Sequence, residues 1–140
     1  MPVTAGFAWP VRVYYEDTDA GGVVYHGNYL KFFERARTER LRDLGFEQDD
    51  LRDQHGIVFA VRSADVQFIK PARFNDRLRV TADLAELKRV SLIFEQRIHR
   101  ETGGSDLLCT ARIRVACLAV ENFSPCPIPD HLLQRIHDDI

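Results

Sequence analysis

Two aspartates (Asp17 and Asp19), a tyrosine (Tyr25) and a histidine (His26) lie among Gly21, Gly22 and Gly27, just before a strongly patterned apolar stretch. These residue types suit acyl-transfer chemistry. An aspartate, ordinarily ionised at neutral pH, can attack a carbonyl or deprotonate a water. The first peptide N–H groups of a helix lack intrahelical partners and carry partial positive charge. They can therefore hold the oxyanion that develops on a carbonyl. Glycines such as Gly22 and Gly27 let backbone approach a ligand closely. The same residues admit a plainer account. Asp17 and Asp19 could make Asx-turns and cap the helix, and His26 could be a surface or capping histidine.

Other chemistries find less support. Asp17, Asp19 and Gly22 match three positions of a calcium loop, but Asn28 stands where that loop needs a bidentate glutamate. The five histidines and three cysteines show no zinc spacing. No Gly-x-Ser-x-Gly elbow, P-loop or dinucleotide fingerprint occurs. The sequence therefore implies no metal and no cofactor.

The elements that must position this stretch follow from periodicity. Val11-Arg12-Val13-Tyr14-Tyr15 reads as a strand. From about Asn28, which suits an N-cap, Tyr29, Leu30, Phe32, Phe33, Ala36, Leu41 and Leu44 form one apolar stripe at helical spacing. Gly45 suits the C′ position. Arg37 and Arg40 interrupt the stripe. Their stems can lie along the core edge with the heads in water, or the heads can meet a ligand or partner subunit. Gln48 to Gln54 suits a short helix or turn ending near Gly56. Ile57 to Val61 begins a strand, and an alternating pattern resumes at Val66 and Phe68. Leu78, Val80, Ala82 and Leu84, then Leu92, Phe94 and Ile98, then Ala111 to Ala119 alternate as half-buried strands. Asn75-Asp76 and Gly103-Gly104 mark turns. Leu132, Leu133, Ile136 and Ile140 share one face of a C-terminal helix. Strand, long helix, antiparallel strands and short helix make an α+β chain. One antiparallel sheet curled around one helix would bury both apolar faces.

The chain of 140 residues suits a single domain over residues 1–140. A net charge of −2 argues against a dedicated nucleic-acid binder. The odd cysteine count (Cys109, Cys117, Cys126) fits reduced thiols and a cytoplasmic location. The N-terminal residues suggest no signal peptide, and no stretch suggests a transmembrane span.

The run Val13-Tyr14-Tyr15-Glu16-Asp17-Thr18-Asp19-Ala20-Gly21-Gly22-Val23-Val24-Tyr25-His26-Gly27-Asn28-Tyr29-Leu30 resembles the signature of the 4-hydroxybenzoyl-CoA thioesterase family of hotdog-fold proteins. Tyr25-His26 with Phe32-Phe33-Glu34-Arg35-Ala36-Arg37-Thr38-Glu39 resembles its Tol–Pal-associated acyl-CoA thioesterase branch, and the likeness includes Lys70-Pro71-Ala72-Arg73. The resemblance implies a curved antiparallel sheet around one central helix. It also implies a homodimer or homotetramer with sites between subunits, and hydrolysis of an acyl-CoA. It makes Asp19 the catalytic nucleophile or general base and the His26 backbone N–H the oxyanion donor, with the Tyr25 and His26 side chains lining the acyl site. Benzoyl-specific members carry Pro-Ala where this chain has Ala20-Gly21 and lack its Tyr-His pair, which favours an aliphatic acyl group.

CoA phosphates need cations, and one or two of Arg62, Lys70, Arg73, Arg77 and Arg89 are candidates; the plainer reading of each is a solvated surface charge. An acyl-carrier protein remains open as an alternative carrier of the substrate. Two rival readings are a non-catalytic binding module for acyl-CoA or acyl-carrier protein and a scaffold in envelope assembly.

Overall fold

The computed structural model describes residues 6–139. Residues 1–5 and Ile140, and the expectations that rest on them, lie outside the described part. The elements are β1 (Ala8–Arg12), α1 (His26–Asp43), α2 (Gln48–His55), β2 (Ile57–Phe68), β3 (Arg77–Thr81), β4 (Asp83–Leu87), β5 (Ser91–Arg100), β6 (Leu107–Ala119) and α3 (Asp130–Asp139).

The stripe on α1 dictates the architecture. Tyr29, Phe32, Phe33, Ala36 and Leu41 are all buried. Each large apolar side chain removed from water favours folding by about 1.5–3 kcal/mol. The partner surface is one antiparallel sheet in the order β1-β3-β5-β6-β2, with β4 pairing β5 beyond the end of β3. Leu78, Val80, Leu92, Phe94, Ile98, Ile113, Val115 and Cys117 bury the sheet's inner face against the helix. Arg112 on the opposite face pairs with Glu86 and Glu95 in the open. Among the described residues, no helix is long and apolar enough to cross a membrane.

Several local expectations change in the folded chain. The first strand starts earlier and ends at Arg12, and Tyr15–Asp17 is a turn of 3-10 helix. α1 starts at His26 with Tyr25 as N-cap, so Asn28 lies inside the first turn instead of capping it. The second strand, β2, runs from Ile57 to Phe68 as expected, and its break in pattern has a local cause. Val61 pairs Val115 and Ser63 pairs Arg114, so Arg62 is the extra residue of a bulge. The bulge switches which alternate residues face α1. That is why the apolar pattern breaks after Val61 and resumes at Val66 and Phe68.

Arg37 and Arg40 lie largely out of solvent. Both are buried. Arg37 Nη1 donates to Gln96 Oε1 at 3.0 Å. Arg40 pairs with Asp139 and lies over the Phe7 ring. With Arg135 Nε donating to the Leu44 carbonyl at 3.2 Å, these contacts seat α3 against the end of α1.

Candidate active site

The stretch from Asp17 to Tyr25 folds as a tight hairpin. Thr18 pairs with Val24, the Asp19 N–H donates to the Val23 carbonyl at 2.9 Å, and the Tyr25 N–H donates to the Asp17 carbonyl at 2.9 Å. Its tip is a four-residue turn closed by the Gly22 N–H on the Asp19 carbonyl at 3.0 Å. Aspartate and glycine suit the first and last positions of such a turn. Gly22 has φ +79°, which a side chain would strain. Asp19 Oδ1 accepts the Gly21 N–H at 2.8 Å, an Asx-turn that orients the carboxylate and leaves Oδ2 without a donor among the described residues.

Asp17 has different work. It is buried. Its Oδ2 accepts the Tyr14 N–H at 2.8 Å, closing the 3-10 turn, and its Oδ1 accepts the Asn28 side-chain amide at 3.0 Å. The expectation of Asp17 as a turn former holds, and a tie to the first turn of α1 is added. Neither aspartate caps an α1 N–H. The His26 and Gly27 N–H groups have no acceptor among the described residues. Asp19 on one arm of the hairpin and these donors at the end of the other therefore combine a carboxylate with an anion-binding helix terminus.

The second wall comes from the segment after β2. The Val24 N–H donates to the Ala72 carbonyl at 2.8 Å, and Val23 bridges Arg73. The Ala72 N–H donates to the buried Tyr29 hydroxyl at 3.0 Å. Burial raises the Tyr29 pKa from its ordinary value, and the Ala72 hydrogen bond opposes the shift. Phe68 meets the Tyr29 ring edge-on at 5.5 Å and the His26 ring at 6.3 Å, while Tyr25 and His26 lie 4.4 Å apart. Gly27 lets the Tyr25 ring lie close to the helix start: a Cβ there would sit 3.0 Å from that ring. The sequence pattern did not single out Tyr29 or Phe68 for the site. The available signal was a tyrosine on a core stripe, whose hydroxyl must find a partner when buried.

The structure thus gathers Asp19, Gly22, Tyr25, His26 and Gly27, with Arg73 joined by its backbone. Lys70 lies nearby in sequence but faces Asp106 at 3.9 Å, which Arg100 also approaches at 3.7 Å. Arg62 sits at the bulge, about 20 Å along β2 from Phe68 at strand rise, so one chain does not bring it to the hairpin. Arg62 and Arg73 are exposed and form no ion pair among the described residues. The Arg77 N–H donates to Thr102, and Arg89 lines a groove with Lys88 and His137. Asp19, Tyr25, His26, Phe68 and Ile69 are all exposed, so the site is open on one side. Among the described residues, no three His, Cys, Asp or Glu side chains converge as a metal site.

This arrangement has relatives. The chain is 43% identical over 132 residues to the acyl-CoA thioesterase YbgC of Haemophilus influenzae, covering 94% of this chain and 95% of that protein. It is 42% identical over 130 residues to the acyl-CoA thioester hydrolase YbgC of Escherichia coli, covering 93% and 95%. The structure matches a probable thioesterase from Bartonella henselae with a TM-score of 0.83 at 35% identity, over 89% of this chain and 100% of that one. Residues 13–136 match the Thioesterase-like superfamily. The chain is therefore a hotdog-fold protein and belongs to the Thioesterase-like superfamily.

Proposed function

We propose that this chain hydrolyses acyl-CoA thioesters, with Asp19 and the first turn of α1 as the catalytic apparatus. The observation that carries the reading is the pairing, on one hairpin, of an oriented carboxylate with the unpartnered N–H groups of His26 and Gly27. The acyl carbonyl oxygen points at those N–H groups, which stabilise the charge that develops on it. Asp19 either attacks the carbonyl carbon or takes a proton from the attacking water. In both routes the C–S bond breaks and CoA leaves as thiolate. In the first route a water then cleaves the mixed anhydride and frees Asp19. Tyr25, His26 and Phe68 form the apolar wall beside the acyl group, which suits an aliphatic chain.

The open side of this wall supports a site completed by a second copy. β2 is the last strand of its sheet, its outer edge has no strand partner among the described residues, and Val61 and Phe68 are exposed along it. An unpaired strand of this length is a template for pairing. We take the oligomer to be a dimer joined through this edge, or a tetramer of such dimers. Arg62, Lys70 or Arg73 then reaches CoA phosphates across the interface. The whole chain acts as one domain, and its three free thiols suit the cytoplasm.

The test is release of free thiol from a panel of acyl-CoA and acyl-carrier-protein thioesters by wild-type protein and Asp19→Asn. Turnover that disappears in the variant supports the reading. Binding of acyl-CoA without thiol release by wild type would instead make the protein a binding module.

A further inference from the structure

The loop between β2 and β3 holds both arms of the Asp19 hairpin. On the arm that runs into α1, the Val24 N–H donates to the Ala72 carbonyl at 2.8 Å and Val23 bridges Arg73. On the arm that leaves β1, the Val13 N–H donates to the Asp76 carbonyl at 3.0 Å, and the Asn75 N–H donates to the Val13 carbonyl at 2.9 Å. The Tyr15 ring stacks on Phe74 at 4.1 Å. One arm leads to the Asp19 carboxylate and the other to the His26 and Gly27 N–H groups. Their separation therefore depends on the shape of residues 72–76.

That shape is not set by a helix or a strand, because residues 69–76 belong to neither. Two side chains set it instead. Asp76 Oδ2 accepts the Arg73 N–H at 2.8 Å, while the Asp76 N–H donates to the Arg73 carbonyl at 3.1 Å, so Asp76 closes the turn in both directions. A bond to an ionised carboxylate is about twice as strong as one between neutral groups. Arg100 reaches the same loop from the end of β5. It stands opposite the buried Leu78, and residues opposite each other across a strand pair share a face. Arg100 Nη2 donates to the Pro71 carbonyl at 2.5 Å. Its buried Nε lies 3.2 Å from Asp76 Oδ2, an ion pair without an aligned hydrogen bond. Asp106 Oδ2 stands 3.7 Å from Nη1. One guanidinium thus ties the residue before Ala72 to the residue that closes the turn after it. The Arg100 and Asp76 side chains are 20% and 14% exposed, so solvent competes weakly for the pair. Their charges act on the Tyr29 hydroxyl in opposite directions, which places the pair beside the Tyr29–Ala72 bond.

We propose that Asp76 and Arg100 are positioning residues for the acyl-transfer site: by fixing residues 71–76 they set the distance between the Asp19 carboxylate and the His26 and Gly27 N–H groups. Both act through the loop and not on the substrate. The demand on the loop is strict, since a displacement of about 1 Å can cost about 10²-fold in rate. The kinetic readout of this role rests on the proposed hydrolysis; the hold on the hairpin does not.

The experiment measures thiol release from acyl-CoA by the intact protein and by Asp76→Ala, Asp76→Asn and Arg100→Met, each well below its thermal midpoint. Amide hydrogen exchange at Val13 and Val24 is followed in the same samples by NMR, with Ile113 in β6 reporting global opening. Asp76→Ala should lower kcat at least ten-fold with KM within about two-fold, and should speed exchange at Val13 and Val24 at least ten-fold relative to Ile113. Asp76→Asn keeps an oxygen that accepts the Arg73 N–H and should lose less of kcat than Asp76→Ala. Arg100→Met frees Pro71 and Asp76 together and should lower kcat as Asp76→Ala does. Should Asp76→Ala not fold, the other two variants carry the test. Wild-type kcat in the folded variants, or equal acceleration of exchange at Val24 and Ile113, would reduce the pair to a stabilising contact and overturn the proposal. A raised KM at unchanged kcat would overturn it too, by making the pair a substrate-binding group. Absence of thiol release by wild type would count against the hydrolysis reading alone, and the exchange rates would then decide whether the pair holds the hairpin.

Discussion

The side-chain amide of Asn28 donates to Asp17 Oδ1 at 3.0 Å, joining the two ends of the hairpin that carries Asp19. One end leaves the first strand, and the other is the first turn of α1. Because both groups are buried, this bond fixes the carboxylate-bearing arm relative to the free His26 and Gly27 N–H groups.

Removing it should loosen both stability and catalysis. Asn28→Ala leaves one oxygen of a buried carboxylate without its donor, which costs about 1–3 kcal/mol. Urea denaturation should report that loss. Thiol release should show a lower kcat with a smaller change in KM, since the donors shift relative to Asp19 while the acyl wall stays. An unchanged denaturation midpoint would remove Asp17–Asn28 as the tie.

Asp19→Asn should separate catalysis from folding. The amide oxygen can still accept the Gly21 N–H, so the Asx-turn persists and the thermal midpoint should stay near wild type. The base or nucleophile is lost, and kcat should fall by about 10²–10⁴. Retention of near wild-type turnover would displace Asp19 from the mechanism.

Gly27→Ala tests the close approach of Tyr25. Alanine is the better helix former by about 1 kcal/mol, so stability should hold or rise slightly. Its Cβ would meet the Tyr25 ring at 3.0 Å and push the ring off the helix start. A raised KM for acyl-CoA at unchanged stability is the expected outcome. Unaltered kinetics would show that the Tyr25 ring position is immaterial.

Alkaline pH should destabilise the fold. Burial pushes the Cys109 thiol up to about 12; burial and the neighbouring Cys126 push the Cys117 thiol up to about 12. In an unfolded chain a thiol titrates near 8.5. Below that value both states hold the proton and the contribution is fully present. As pH rises toward 12 the unfolded state sheds protons first, so stability falls. Tyr29, raised in the same direction, adds to the loss above its ordinary 10. Urea midpoints measured from pH 7.5 to 10.5 should decline, and Cys117→Ala should flatten the slope. In native protein at pH 8, a thiol reagent should label the half-exposed Cys126 before Cys109 or Cys117.

Much of the fold was legible along the chain. The α1 stripe and the alternation in β3, β5 and β6 are local periodicities, and each side chain that repeats in step faces the core. The Gly56 C-cap and the positive φ at Asn75 and Gly103 also follow from residue type. The break in the apolar pattern of β2 after Val61 has its cause in a bulge at Arg62, and a bulge is defined by the partner strand. For Arg37 and Arg40 the sequence left two readings, heads in water or heads on a ligand or partner subunit. Their true partners, Gln96 and Asp139, lie 59 and 99 residues away.

The same division applies to the site. Residue types and glycine positions determined by themselves that a carboxylate would stand before a helix N-terminus, because both features are local. Only the tertiary structure decided that Asp17, and not Asp19, is the buried tie, that Tyr29 holds Ala72, and that Phe68 forms the facing wall. These choices depend on which distant backbone and side-chain groups fill each hydrogen bond, and desolvation enforces such pairings only when the sheet closes around α1.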